Sequence, residues 1–172
     1  MAPVGEQVAV EPGAVPQTIL WTLHHRASEA RRPDAVIRDP MAVSLTERID
    51  FPFAERFGEG EPGQWQALPA LAFAGAGRRF TAAHPRGTVV AFGEGLETRF
   101  WRVDDGRMRW VTVDLPEVID LRDRLLPAYG RHASVATSAL DGAWLDAVDP
   151  GRGVLVTAQG LLMYLQPDEV HG

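Results

Sequence analysis

The chain has 172 residues and a mass of 18.8 kDa, with 45% hydrophobic and 23% charged residues, the balance of a single globular domain that can bury one core. A net charge of -6 and a pI near 5.3 speak against nucleic acid or an anionic membrane as the main partner, because both call for concentrated Lys and Arg, and the arginines here are scattered along the sequence. The absence of Cys excludes disulfides, thiolate chemistry and Cys-based zinc sites. Met1-Ala2-Pro3-Val4-Gly5 has neither the basic region nor the apolar core of a signal peptide, and no stretch approaches the ~20 apolar residues of a membrane span, so a cytoplasmic protein is expected.

Residues 1–16 are rich in Pro, Gly and Val without periodicity and read as a flexible N-terminal arm. Residues 17–86 read as an N-terminal helical region. Ile19, Leu20, Leu23 and Ala27 recur at helical spacing until Pro33, and Asp39-Pro40 is an N-cap followed by a first-turn proline, with Met41, Leu45 and Ile49 as one apolar stripe. Both stripes read first as core packing. Thr22 and Arg26 are conceivable contacts from this region. His24 and His25 diverge by about 100° on a helix, so they cannot share a metal, and they read as exposed or capping residues. His84 and His132 have no ligand-spaced partner either, so no metal site is expected. Residues 57–69 read as a loop. The Ala-rich stretch from Ala70 to Ala83 is interrupted by Gly75 and Gly77, each costing about 1 kcal/mol in a helix interior.

From Gly87 the pattern changes. Thr88-Val89-Val90-Ala91-Phe92 is a short β-branched run that breaks into Gly93-Glu94-Gly95, a buried strand ending in a loop that approaches something closely. Arg109 to Asp114 is a second strand, ending on an acid about 20 residues after the glycines, where a doubly wound sheet would let it accept ribose hydroxyls. The loop's charge separates two cofactors. A dinucleotide fingerprint wants a third Gly or Ala and bare N–H groups, whereas this loop carries Thr98 with Glu94 and Glu97, which suit the sulfonium cation of S-adenosylmethionine better than a pyrophosphate. Leu115-Pro116 then opens a helix with Val118, Leu121 and Leu125 on one side; residues 131–138 are a weaker strand; and Gly153 to Ala158 reads as a strand buried on both faces. Leu161, Leu162 and Leu165 read as core, and Tyr164 is undecided between core and pocket.

Three stretches carry a resemblance: Val89 to Arg99, Val113-Asp114-Leu115-Pro116-Glu117-Val118, and Ala158-Gln159-Gly160-Leu161-Leu162-Met163-Tyr164-Leu165. In order and type they resemble the motifs of the leucine carboxyl methyltransferase-like enzymes, most of all the branch with the tetracenomycin-type polyketide O-methyltransferases. The resemblance runs from about Val15 to Gly172. It implies an α/β, Rossmann-like class I methyltransferase sheet with helices on both faces, preceded by a helical region and using S-adenosylmethionine. With four strands expected, residues 87–172 would be the first half of such a cofactor domain, truncated after the fourth strand.

The resemblance also implies roles. Gly93, Glu94 and Gly95 would shape the methionine end of the cofactor, Asp114 the ribose and Asp141 the adenine, with Leu115 and Leu140 also among the cofactor-binding residues; Asp141 reads equally as the N-cap of a short helix around Trp144. Gln159 stands where many relatives have Glu near the methionine amino group, which keeps hydrogen-bonding capacity and loses a charge. The family's carboxylate-binding arginine has no clear counterpart in the shortened 70–83 segment; Arg79 is the nearest candidate, with the solvated end of a helix as its other reading. The implied function is methyl transfer to a carboxylate or hydroxyl of a small-molecule, polyketide-like acceptor in secondary metabolism. A carboxylate acceptor is already anionic, and no catalytic base is assigned. The other reading is a degenerate half-domain that serves as a non-catalytic interaction protein, with an exposed sheet edge that would invite a homodimer.

Overall fold

The computed structural model describes residues 7–10, 16–58 and 67–171; the rest of the expected arm and most of the 57–69 loop lie outside the described residues. Four parallel strands form the central sheet: β3 (Thr88–Phe92), β4 (Arg109–Asp114), β5 (His132–Ala136) and β6 (Val154–Ala158), in the order β5-β4-β3-β6. Thr88 pairs with Arg109 on one side and Val154 on the other, and Trp110 pairs with His132. The chain therefore steps outward from β3 to β5 and returns to the far side of β3 with β6. That reversal makes a crevice beyond the C-terminal ends of β3 and β6, the place where open α/β sheets bind ligands.

Alternation on β3 divides the core. Val89 and Ala91 join Trp110 beneath α4 (Leu68–Ala83) and α5 (Arg99–Val103), with Ala74, Phe100 and Met108. Val90, Val111 and Val113 face the other way, toward Trp144 and Val148 of the segment before β6. Each buried valine contributes about 1.5–3 kcal/mol. The segment around Trp144 is a 3-10 helix, Gly142–Ala147, and Asp141 caps it by accepting from Ala143 N at 2.9 Å. A third cluster joins α1 (Gln17–Ala30), α2 (Pro40–Arg48) and α6 (Pro116–Leu125) around Leu23, Leu45, Leu96 and Leu121. Asp39 caps α2 through Ala42 N at 3.0 Å, as its place before Pro40 requires. Among the described residues no helix is long and apolar enough to cross a membrane.

Several expectations are corrected. Within the stretch read as an arm, β1 (Val8–Ala9) pairs in parallel with β2 (Ile49–Asp50), so Ile49 leaves the helical stripe although it remains buried. A short helix, α3 (Phe53–Phe57), follows. The helix α4 runs unbroken through Gly75 and Gly77: it buries Ala70, Ala74, Gly77 and Thr81, and that tertiary packing offsets the local cost, while a Cβ at Gly77 would stand at an ordinary 3.8 Å from Val103 Cγ2. Strand β6 is buried only at Thr157 rather than on both faces, and Val156 is 47% exposed. It is an edge strand, and an apolar run reads the same whether or not a neighbour covers it. Leu162 is likewise exposed, within a 3-10 turn (Leu162–Tyr164) that precedes α7 (Pro167–His171).

Candidate functional site

The backbone after β3 turns twice through the left-handed region, at Gly93 (φ 57°) and Gly95 (φ 53°). The conformation favours glycine at both positions, and the space is tight as well: a Cβ at Gly95 would stand 3.1 Å from Ile19 Cγ1 and one at Gly93 3.1 Å from Leu161 Cδ1. Helix α1 thus lies directly on the loop. Between α1, the start of α4, the loop and the turn after β6 is a pocket of about 340 Å³. Thr22, His25 and Arg26 line it from α1, residues 92–95 from the loop, and Gln159, Met163 and Tyr164 from the turn after β6.

Of the residues expected from sequence, Gly93, Glu94, Gly95 and Gln159 meet in this pocket. Asp114 stands behind the loop, accepting from Gly95 N at 2.8 Å and Leu115 N at 2.9 Å. Burial pushes its carboxyl above the usual range, with those two N–H bonds pulling the other way. Leu115, Leu140 and Asp141 lie outside the pocket, near the C-terminal ends of β4 and β5; both leucines are exposed, and Asp141 also accepts from Thr137 Oγ1 at 3.2 Å. Arg79 does not line the pocket either. It sits on the exposed side of α4 with its Nη1 near Gly75.

Besides Arg26, a second guanidinium lines the pocket, that of Arg99. It is 2% exposed, flanked by the rings of Phe73 at 5.1 Å and Trp110 at 5.5 Å, and it donates from Nη1 to Gln159 Oε1 at 3.2 Å. Its Nη2 is 3.9 Å from Glu94 Oε1. Glu94 Oε2 accepts from Trp110 Nε1 at 3.1 Å, from Arg122 Nη2 at 3.3 Å and from the Thr112 hydroxyl. Glu94 Oε1 and Arg99 Nε are buried without a hydrogen-bond partner among the described residues. Arg99 closes the Val89 to Arg99 stretch that carries the resemblance, yet nothing in its spacing assigns it a role.

A second ion cluster seals the loop to the helices. Asp39 meets Arg26 and Arg102, each at 3.3 Å, and accepts from Thr98 Oγ1 at 2.6 Å; Glu97 meets Arg26 at 3.6 Å and also Arg102. Burial pushes the Glu97 carboxyl up, but Arg26, Arg102 and Arg99 outweigh it and bring it to about 2. The acidity of the loop is therefore compensated by arginines. What disfavours a pyrophosphate is instead the use of the loop's N–H groups: Gly93 N donates to Val113 O at 2.9 Å, Gly95 N to Asp114, Glu97 N to Glu94 O at 3.0 Å, and Thr98 N to Glu97 Oε1 at 2.9 Å. Those four N–H groups are not free to face a phosphate as they would be in a dinucleotide fold.

The two histidines of α1 are neither exposed nor caps. His24 stacks on Phe53 at 5.8 Å and its Nε2 is 3.2 Å from Gly58 O, while His25 packs edge-on to Trp21 at 4.4 Å and faces the pocket. Burial, with His24 beside it, lowers the pKa of His25. Aromatic side chains on the α1 face supplied their cover, and single-sequence periodicity does not show that partner.

The family model described as leucine carboxyl methyltransferase matches residues 19–172. The chain is 35% identical over 153 residues to a tetracenomycin polyketide synthesis O-methyltransferase of Streptomyces glaucescens, covering 88% of this chain and 57% of that protein. It is 32% identical over 161 residues to a putative S-adenosyl-L-methionine-dependent methyltransferase of Saccharopolyspora erythraea, covering 83% and 55%. To an S-adenosyl-L-methionine-dependent methyltransferase of Gibberella zeae it is 28% identical over 171 residues, covering 90% and 57%. The chain spans about half the length of the curated relatives it matches.

Proposed function

This chain belongs to the leucine carboxyl methyltransferase family, and from that premise we propose that its switch-point pocket binds S-adenosylmethionine for methyl transfer to an oxygen of a small aromatic, polyketide-like acceptor. The observation that carries this reading is that Glu94 and Arg99, opposite charges 3.9 Å apart, line one pocket, and that Glu94 Oε1 and Arg99 Nε, like His25 Nδ1, lack a hydrogen-bond partner among the described residues. A buried polar atom without a partner costs about 1–3 kcal/mol, so such a pair calls for a ligand with the opposite pattern. An α-amino acid end has it: its carboxylate suits Arg99, and its ammonium suits Glu94 with Gln159 beside it. Asp114 supplies carboxylate lone pairs for ribose hydroxyls at the neighbouring strand end, and Leu115, Leu140 and Asp141 continue that edge toward a base. The structure thus favours Arg99 over Arg79 for the carboxylate.

When bound, S-adenosylmethionine supplies a methyl group on a sulfonium centre, open to in-line attack by an oxygen. The chain's own part is positional. Trp21, His25, Met163 and Tyr164 line the pocket and would orient an acceptor against the methyl group. A carboxylate acceptor needs no base. A hydroxyl acceptor is the second reading, and what favours it is His25, whose lowered pKa leaves its ring neutral and able to take a proton at pH 7.

The test incubates the chain with S-adenosylmethionine bearing a labelled methyl group and a panel of aromatic carboxylic acids and phenols. Label in an ester or ether supports the reading, and the product identifies the acceptor oxygen. Cofactor that saturates the chain with no label moved to any acceptor would favour a non-catalytic role. Arg99→Met is expected to weaken cofactor binding about 10- to 100-fold in calorimetric titration, as loss of a charge-assisted contact implies, with the far-ultraviolet circular dichroism spectrum retained.

A further inference from the structure

At the opposite end of the sheet, the four loops that enter β3, β4, β5 and β6 surround a cleft of about 550 Å³. Arg86, Arg107, Arg109, Arg131 and Arg152 line it, five of the chain's 17 basic residues. Scattered in sequence, they converge because each precedes or opens a strand of the same parallel sheet. We propose that this cleft is a binding site for a diphosphate group, separate from the methyl-donor pocket and independent of that reading.

Three observations support it. The first is the charge balance. Arg131 is held by Asp104 at 2.7 Å and Arg152 by Asp149 at 3.4 Å, while Arg86, Arg107 and Arg109 form no ion pair among the described residues. Asp105, the remaining nearby carboxylate, spends its Oδ1 on the backbone N–H groups of Arg107 and Met108, both at 2.9 Å, and attracts the Arg107 guanidinium without forming a close ion pair with it. Five guanidiniums thus face three carboxylates, a local positive excess in a chain of net charge -6. The second is strain. Arg86 is the one non-glycine residue with positive φ among the described residues, at 72°, a conformation that glycine would adopt without penalty. An arginine kept where glycine fits better points to a use for its side chain. The third is shape. The cleft has the volume of a small-molecule site, and planar guanidinium forks match phosphate oxygens two at a time. The strands put it about 16 Å from the glycine loop, five residues at about 3.3 Å each.

A diphosphate could be free or part of a nucleotide, so the full chain is titrated calorimetrically with inorganic pyrophosphate and, separately, with ADP. The expected result is saturable one-to-one binding of pyrophosphate that weakens steeply as salt rises from about 50 to 200 mM. Tighter binding of ADP assigns the nucleotide as source, and equal or weaker binding assigns the free diphosphate. Arg86→Gly should weaken binding about tenfold without lowering the melting midpoint of the unliganded protein, because glycine relieves the backbone. An Arg107→Ser/Arg109→Ser double variant should weaken it further, and S-adenosylhomocysteine should not displace pyrophosphate from the unaltered chain. Absence of saturation with pyrophosphate, or affinity unchanged in both variants, would overturn the assignment and put any bound anion elsewhere.

Discussion

Replacing Arg122 by methionine should lower the unfolding free energy by about 3–5 kcal/mol and the melting midpoint by roughly 10 °C. Arg122 projects from α6 and is 1% exposed. Its Nη1 donates to Gly95 O and, at 3.2 Å, to Glu97 O, and its Nη2 to Glu94 Oε2 at 3.3 Å. One side chain therefore satisfies two carbonyls of the left-handed loop and the charge of a carboxylate with no exposed surface. Methionine fills much of the volume but leaves all three acceptors with less, and an uncompensated buried charge is the costly part. Adding Glu94→Gln should recover a measurable share, since a neutral amide in the same place still accepts from Trp110 and Thr112. Urea unfolding of the single and double variants measures both. A loss under about 1 kcal/mol for Arg122→Met would mean that the loop is held by its glycines and by Ile19 instead.

Acid should remove about 3 kcal/mol of stability through Glu97 alone. Its folded value of about 2 lies below the ordinary 4.5, so the unfolded chain binds this proton more readily. The contribution is fully present above pH 4.5 and is lost as pH falls through 2. Asp114 works against this: burial raises its value, so protonation favours the folded state as pH falls. The Glu97→Gln variant separates the two. Denaturant unfolding between pH 6 and pH 2 should fall steeply in the unaltered chain and much less in the variant, which starts from lower stability at pH 6. Parallel curves would show that Arg26 and Arg102 do not hold Glu97 as an ion.

The sheet and its glycine loop could be read from sequence because the informative neighbours are close along the chain. Thr88 to Phe92 is a β-branched run broken by two glycines, and Asp114 ends the next such run. The order β5-β4-β3-β6 then follows the expected Rossmann-like arrangement. Burial was less readable: Val89 and Val156 belong to similar runs, yet Val89 is 1% and Val156 47% exposed, because exposure depends on what lies beside the strand. Charge was the least readable. Glu94 and Glu97 suggest an acidic loop, but the arginines that offset them come both from nearby, Arg99 and Arg102, and from helices distant in sequence, Arg26 and Arg122, and Arg26 also reaches Leu96 O at 2.7 Å. Arg99 was overlooked for the same reason. Its place against Gln159 and Glu94 is a property of the fold, whereas Arg79, on the helix that the resemblance pointed to, faces outward.

On the proposed reading the pocket recognises an amino-acid zwitterion attached to a nucleoside. Calorimetry with S-adenosylhomocysteine and with 5′-methylthioadenosine, which keeps the nucleoside and lacks the amino-acid end, tests it most directly. The unaltered chain is expected to bind S-adenosylhomocysteine about 100-fold more tightly, and Arg99→Met to remove most of that difference while leaving methylthioadenosine affinity unchanged. Equal affinity for the two ligands in the unaltered chain, or no saturable binding of either by the folded protein, would contradict it.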